Sequence, residues 1–158
     1  MSELATYTFE NNISLITMDD GKANVMSLQM LKDLNSALDR AEQEASPVIL
    51  AGRENMFSGG FDLGVFKSGD NDLIVEMLTL GAELSHRMLG FPVPIIAACT
   101  GHAIVLGTFV LLSCDYRIGA NGKSKFGANE VAIGLTVPYL SLIHISEPTR
   151  LGMISYAV

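Results

Sequence analysis

The sequence predicts an α/β fold, and three observations support this prediction. Short apolar runs typical of strands occur at residues 48–51 and 94–99, and a further strand is predicted at residues 116–119. Two longer stretches, residues 28–45 and 71–89, repeat apolar residues at helical spacing. Strands that alternate with helices along a chain are typical of a sheet covered by helices. The 158 residues contain no internal repeat or linker, so we expect a single folded domain.

The N-terminal segment predicts a β-hairpin followed by a helix. Residues 7–10 and 13–18 are β-rich and are separated by an Asn-Asn pair, which favours a tight turn. Ser27 can accept a hydrogen bond from a backbone N–H at the start of a helix over residues 28–45. The apolar positions that recur at helical spacing in this helix are Leu31, Leu34, Leu38 and Ala41.

A glycine-containing loop and a second amphipathic helix follow the strand predicted at residues 48–51. The loop covers residues 57–63 and the helix covers residues 71–89. A short segment at residues 125–127 comes after the last predicted strand. We expect the buried side of the second helix to consist of Ile74, Met77, Leu78, Leu84 and Met88.

The central stretch of the chain predicts a site for an anionic oxygen. An apolar run at residues 94–99 is separated by Thr-Gly-His from a second apolar run at residues 103–112. A buried strand, a tight turn at Gly101 and a buried helix would give this pattern. A helix that begins inside a protein leaves its first backbone N–H groups without partners in the helix. Such buried donors suit an anion or an oxyanion.

A membrane-spanning helix is the alternative interpretation of the same stretch. Residues 94–114 come close to the ~20 apolar residues that a spanning helix needs. Pro, Thr, Gly, His and Ser interrupt them, and no basic flank follows to orient such a helix. We therefore expect a buried strand, turn and helix, and no membrane partner.

Two passages leave their strands in a similar way, at residues 51–62 and 99–107. Each leaves a buried strand through glycine and leads into a helix. If the two strands are neighbours in one sheet, both passages lie at the edge where α/β proteins bind ligands. Two backbone N–H groups could then converge on one carbonyl oxygen as an oxyanion hole, worth about 3 kcal/mol per donor. The spacing alone favours two ordinary glycine turns.

Composition narrows the classes of function. The net charge is −7, so no basic stripe is present to neutralise phosphates, and we expect no nucleic-acid partner. Cys99 and Cys114 lie in apolar surroundings, which is typical of reduced core thiols in a cytoplasmic protein. The first ten residues lack the basic and apolar regions of a signal peptide. No Cys/His cluster has the spacing of metal ligands, so no metal is predicted.

Four segments carry a resemblance to a known family. They are FSGGFDL from residue 57, PIIAACTGHA from residue 94, SCDYRI from residue 113 and FGANE from residue 126. In their order and spacing, these segments resemble the crotonase (enoyl-CoA hydratase/isomerase) superfamily, from the N-terminal hairpin to about Tyr139. The resemblance implies a repeated ββα spiral that binds acyl-CoA thioesters. It also implies a homotrimer or dimer of trimers, with coenzyme A present only as part of the substrate.

The resemblance also implies roles for individual residues. By matching position, the backbone N–H groups of Phe61 and Leu106 form the oxyanion hole, and Glu130 is the catalytic carboxylate. Two glycines that are usual in the second turn are replaced here by Val105 and Leu106. The first glutamate of the family's hydratases is matched by Phe109, which can neither take nor give a proton. The residues that match the coenzyme A contacts are Lys22, Ala23, Asn24, Gly59, Gly60, Phe61, Asp62 and Leu63.

One carboxylate opposite an oxyanion hole favours double-bond isomerisation of an enoyl-CoA over hydration. The hole would stabilise an enolate, and Glu130 would remove a proton and return it at another carbon. Hydration, and acyl-CoA binding without catalysis by a subunit of the same fold, remain the alternatives. A surface carboxylate at the start of a strand is the alternative for Glu130 itself.

Several polar residues near these motifs have structural interpretations. His102 is expected to make a structural hydrogen bond rather than to act in catalysis. Asp62 is expected to cap the following helix. Asp115 and Arg117 are expected to form a structural pair.

The C-terminal segment does not resemble the family. The peptide LSLIHISEPTR from residue 140 resembles a translated sequencing adapter, as does ISYAV at residues 154–158. We therefore interpret residues 1–139 as an incomplete acyl-CoA-binding core and residues 140–158 as a non-native tail. The fold is then truncated before the C-terminal helices that build trimers, and we expect the chain by itself to be inactive.

Overall fold

The computed structural model describes residues 3–128. Strands and helices alternate through this range, which confirms the α/β prediction. The strands are β1 Ala5–Glu10, β2 Ile13–Met18, β3 Val25–Met26, β4 Val48–Ala51, β5 Asn55–Ser58, β6 Gly60–Phe61, β7 Ile95–Cys99, β8 Gly101–Ile104, β9 Tyr116–Gly119 and β10 Phe126–Gly127. The helices are α1 Leu28–Glu44, α2 Leu63–Ser68, α3 Asn71–Leu89 and α4 Leu106–Leu112.

Two sheets organise the described part of the chain. The larger sheet has the order β1-β2-β4-β7-β9, and every pair after the first is parallel. The smaller sheet has the order β10-β8-β5 and is parallel. From β4 to α3 and again from β7 to α4, the chain adds a strand to the large sheet, then one to the small sheet, and then forms a helix. This repeat is the ββα spiral that the resemblance implies.

The N-terminal hairpin and the first helix form as predicted. Asn11 and Asn12 both have positive φ angles, 52° and 60°, which suit the tight turn between β1 and β2. The Ser27 hydroxyl caps α1 by accepting a hydrogen bond from the Met30 N–H at 3.2 Å. The predicted face of α1 is buried, from Leu31 to Ala41. Ala45 ends the helix in the left-handed conformation, at φ 48°.

The second long helix has the predicted bounds, but the predicted burial of Leu78 is wrong. Met77, Leu84 and Met88 are buried as expected, and Ile74 is half-buried. Leu78 is instead 38% exposed. Gly81 is buried instead, one turn further along the helix. The side of α3 that faces the protein therefore includes a residue without a side chain, and periodicity of apolar residues alone does not show it.

The single helix predicted over residues 103–112 is also wrong at its start. Residues 101–104 form β8, and α4 begins only at Leu106. The Ala103 N–H donates to Lys125 O at 3.0 Å, so β8 lies between β5 and β10. A short apolar run is equally compatible with a buried strand and a buried helix, and only the partner strands decide between them. The glycine loop likewise contains two short strands, β5 and β6.

The core of the described residues is formed by side chains from both sheets and from helices α1, α3 and α4. Phe57, Met30 and Leu31 are among its fully buried side chains. No helix within residues 3–128 is both long enough and apolar enough to cross a membrane.

Candidate active site

The two strand-to-loop passages lie side by side. β4 and β7 are parallel neighbours, with Ala51 opposite Ala98. The strands that follow them, β5 and β8, are also parallel neighbours in the small sheet. The prediction that both passages leave the large sheet at the same edge is therefore confirmed.

Backbone atoms of the two passages are in direct contact at Gly60. Gly60 has a φ of +86°, and a Cβ atom built on it would lie 2.7 Å from Ile104 O and 2.8 Å from Val105 Cβ. Only glycine permits both this conformation and this approach. The residue that follows Gly60 is Phe61, and the residue that follows Val105 is Leu106. The two predicted oxyanion donors are thus carried by touching segments.

The Leu106 N–H has no hydrogen-bond acceptor among the described residues. Leu106 is the first residue of α4, so no carbonyl of that helix can accept from it. Among residues 3–128, no other carbonyl or side chain accepts from it either. A buried donor without a protein partner favours a ligand oxygen as its acceptor.

Val105, immediately before this donor, has an unusual backbone conformation. Its φ and ψ are 52° and −121°. This region is unfavourable for an L residue with a branched Cβ, and such strain persists only where the surroundings enforce it. In this turn the family usually has glycine, which adopts the same angles freely. Valine in place of glycine at position 105 therefore keeps the conformation of the turn, but the strained backbone costs free energy.

The side chains of Phe61 and Leu106 converge on α3. A Cβ atom built on Gly81 would lie 2.7 Å from Phe61 Cε1 and 2.7 Å from Leu106 Cδ2. The Phe61 ring also packs edge-on against Phe66, with the centroids 6.3 Å apart. The bare face of α3 at Gly81 thus accommodates both side chains.

Asn24 has a structural role that the sequence did not indicate. Its side chain is fully buried, and its φ is 49°. The Nδ2 group donates to Met18 O at 2.8 Å and, at longer distances, to Met56 O and Phe57 O. Its Oδ1 atom accepts from the Asp20 N–H at 3.0 Å. These internal bonds occupy the side chain, so a contact from Asn24 to coenzyme A stays a prediction without geometric support.

The two segments predicted to contact coenzyme A are joined to each other. The Gly59 N–H donates to Ala23 O at 2.8 Å, and the Ser58 hydroxyl donates to Asn24 O at 2.8 Å. Lys22 is exposed beside them. The structure therefore brings residues 23–24 against residues 58–59. A contact between these segments and coenzyme A stays a prediction.

The turn before these residues is held by one carboxylate. Burial raises the pKa of Asp20, but hydrogen bonds from three backbone N–H groups, together with Arg53, lower it below its usual value. The donors include Val25 and Lys22, at 3.0 Å and 2.7 Å. Asp20 therefore stays ionised at neutral pH and fixes the backbone that precedes Asn24.

Asp62 and Leu63 lie at the start of α2. The Asp62 carboxylate accepts from the Gly64 N–H at 2.8 Å, which confirms the predicted cap. The Leu63 side chain is 56% exposed. The predicted proximity of these two residues to coenzyme A stays a prediction.

The predicted catalytic carboxylate, Glu130, lies outside the described residues. The last described strand, β10, ends three positions before it, at Gly127. Gly127 is hydrogen-bonded to the segment that carries Leu106, since the Val105 N–H donates to Gly127 O at 2.9 Å. Phe109, at the position of the family's first glutamate, is buried in α4 at 9% exposure.

The remaining polar residues have structural contacts. His102 Nδ1 accepts from the Lys125 N–H at 2.8 Å, which confirms the structural interpretation. The expected pair of Asp115 and Arg117 is wrong. Asp115 accepts from the Ile95 N–H at 2.8 Å, whereas Arg117 donates to the carbonyls at the end of α4, including Leu111 O at 3.0 Å. The Asp115 side chain thus stabilises the start of β7, and the Arg117 side chain stabilises the end of α4.

Both cysteines are buried reduced thiols. Burial raises the pKa of the Cys114 thiol to about 12, and burial also raises the pKa of Cys99. Each Sγ lies near a backbone carbonyl, Gly101 O for Cys99 and Val110 O for Cys114. Neither thiol is suited to act as a nucleophile at neutral pH.

The ββα spiral is that of a crotonase-like protein. Its two adjoining turns, at Gly60 and Val105, lie next to the Leu106 backbone donor. The chain belongs to the enoyl-CoA hydratase/isomerase family, whose model matches residues 8–146.

Relatives in this family include hydratases and isomerases. The chain is 33% identical over 129 residues to a protein of Bacillus subtilis named probable enoyl-CoA hydratase, and this match covers 78% of the chain. It is 28% identical to mitochondrial enoyl-CoA delta isomerase 1 of Rattus norvegicus, with 82% of the chain covered. A solved apo structure described as a Mycobacterium tuberculosis enoyl-CoA isomerase superposes with a TM-score of 0.83 at 41% identity, covering 90% of this chain and 62% of that one. The chain spans about half the length of these curated relatives, 48% and 46%.

Proposed function

We propose that the protein acts on acyl-CoA thioesters and moves the double bond of an enoyl-CoA. The observation that carries this proposal is the contact between the segments of Phe61 and Leu106, with a Leu106 N–H that has no acceptor among residues 3–128. Two N–H groups aimed at one thioester oxygen would stabilise the negative charge that develops there when a neighbouring carbon loses a proton.

The proposed reaction needs one acid–base group. Glu130 would remove a proton from C2 of a 3-enoyl-CoA, and the electron pair would delocalise through the double bond onto the thioester oxygen. Returning the same proton to C4 would give the 2-enoyl-CoA and restore the carboxylate. Coenzyme A would lie along residues 22–24 and 59–63, beside the exposed Lys22.

Hydration is the second candidate, because the family also includes hydratases. A hydratase of this family is expected to hold its water between two carboxylates. Phe109 supplies no second carboxylate from α4, and its buried ring excludes water there. This feature favours isomerisation.

Replacement of the proposed acid–base group tests the function, in the full-length protein whose natural sequence follows residue 139. Glu130→Gln keeps the size of the side chain and removes its basicity, so we expect kcat for 3-enoyl-CoA isomerisation to fall by about 10² to 10⁴. Glu83→Gln, at an exposed position on α3, is the matched control and should keep the wild-type rate. Turnover of 2-enoyl-CoA alone, to a 3-hydroxyacyl-CoA, or an unchanged rate in Glu130→Gln, would reject the proposal.

A further inference from the structure

The Thr108 hydroxyl connects the two ends of the turn that carries Leu106. Its Oγ1 atom donates to Ala103 O at 2.8 Å and accepts from the Gly127 N–H at 3.1 Å. The backbone N–H of Thr108 also donates to Val105 O at 2.9 Å. One half-buried side chain thus joins β8, α4 and β10.

Both backbone polar groups of Gly127 are hydrogen-bonded to residues close to the proposed donor, Leu106. Its carbonyl accepts from the Val105 N–H, and its N–H donates to Thr108 Oγ1. Val105 directly precedes Leu106 in the sequence, and Thr108 follows it by two positions. Removal of the Thr108 hydroxyl would leave the Gly127 N–H without this acceptor and release one of the two restraints.

The turn between these bonds needs restraint because it is strained. Val105 adopts φ 52° and ψ −121°, a conformation that a valine leaves unless its neighbours prevent it. The contacts that prevent it are the Val105–Gly127 bond, the bonds of Thr108 and the contact with Gly60.

We propose that Thr108 is a positioning residue: its hydroxyl holds the strained Val105 turn and thereby aims the Leu106 N–H at the substrate oxygen. This inference rests on the proposed function, in which that N–H is an oxyanion donor. Thr108 itself does not touch the reacting atoms. Its contribution lies in the geometry of the donor, which matters more in the transition state than in substrate binding.

Kinetics of hydroxyl variants test the inference. In Thr108→Val, we expect kcat for 3-enoyl-CoA to fall about tenfold or more, with KM changed less than about threefold. Thr108→Ser keeps the hydroxyl and should retain most of the rate. Ser113→Ala is the matched control, since the Ser113 hydroxyl donates to Phe109 O at 2.8 Å at the other end of the same helix. It should lose stability without losing kcat.

A second variant separates strain from general loss of stability. Glycine at position 105 adopts the turn without strain, so the double variant Val105→Gly/Thr108→Val should recover much of the lost kcat. Amide hydrogen exchange, followed by NMR, gives a readout that needs no turnover. The Gly127 and Val105 N–H groups should exchange about tenfold faster in Thr108→Val, and in Ser113→Ala no faster than its lower free energy of unfolding accounts for.

The outcomes distinguish this inference from the proposed function. If Glu130→Gln abolishes isomerisation while Thr108→Val keeps the wild-type kcat, the function stands and the inference is overturned. Unchanged amide exchange in Thr108→Val overturns it as well. If the full-length wild-type protein does not isomerise 3-enoyl-CoA, the proposed function fails, whatever the exchange rates show about the turn.

Discussion

A single buried amide holds the segments around the candidate site together. Asn24 bonds to the ends of β2 and β5 and to the Asp20 turn, and it does so from a left-handed backbone conformation. This arrangement fixes the backbone next to Lys22 and Ala23, which are proposed to contact coenzyme A. The observed role of Asn24 is therefore to fix the backbone of this region.

Replacement of this amide should destabilise the protein strongly. Asn24→Ala leaves the buried Met18 and Phe57 carbonyls without their partner and forces alanine into a positive φ, so we expect a loss of about 2–4 kcal/mol in the free energy of unfolding. Urea denaturation measures this loss.

Two further variants identify which part of the loss comes from the hydrogen bonds. Asn12→Ala, at an exposed turn position with φ 60°, removes only the preference for the left-handed conformation and should cost about 1 kcal/mol. Asn24→Gly keeps the backbone freedom and should cost less than Asn24→Ala. Equal losses for Asn24→Ala and Asn12→Ala would show that the buried hydrogen bonds contribute nothing.

At the scale of elements, local signals predicted the helices and strands that local chemistry determines. Ser27 could be identified as a cap because a hydroxyl precedes a regular apolar face, and the Asn-Asn turn could be identified for a similar reason. The boundary between β8 and α4 could not, because it depends on pairing with β5 and β10, which are distant in sequence. The double hydrogen bond of Thr108 depends on the same pairing.

Gly81 illustrates a signal that was present but not used. A lone glycine inside a predicted helix costs about 1 kcal/mol relative to alanine, so it often marks a close approach. Here the approach is that of Phe61 and Leu106, the two proposed oxyanion residues. The helix thus leaves room for the side chains of the two residues whose backbone N–H groups are the proposed oxyanion donors.

Gly81→Ala should therefore destabilise the protein despite the gain in helix propensity. The new methyl group would meet the ends of two packed side chains, and we expect a net loss of about 1 kcal/mol by chemical denaturation. In a Leu106→Ala background, which makes room and keeps the backbone N–H, the same glycine substitution should cost less than it does in the wild type.

Gly119→Ala is the matched control for the same change of residue. A Cβ atom at Gly119 meets nothing within 4 Å, and its unfolding free energy should stay within about 0.5 kcal/mol of the wild type. An increase in stability on Gly81→Ala would contradict the close packing of α3 on the site.

At the scale of the whole molecule, the ββα repeat explains why the site forms where it does. Each repeat places its first strand in the large sheet and its second strand in the small one, so successive repeats present their turns side by side. Phe61 belongs to one repeat and Leu106 to the next. Motif order in the sequence predicted this arrangement, because each motif occupies the same place in its repeat. The position of Glu130 stays a prediction, as it follows the last described strand.

The most direct test of the account is a crystal structure of the protein with a saturated acyl-CoA such as hexanoyl-CoA, which binds but cannot isomerise. The account predicts the thioester oxygen about 2.7–3.1 Å from both the Phe61 and the Leu106 backbone nitrogens, with the Glu130 carboxylate facing C2. A thioester oxygen that touches neither nitrogen, or a Glu130 side chain directed into solvent, would contradict the proposed reaction while leaving the family and the fold intact.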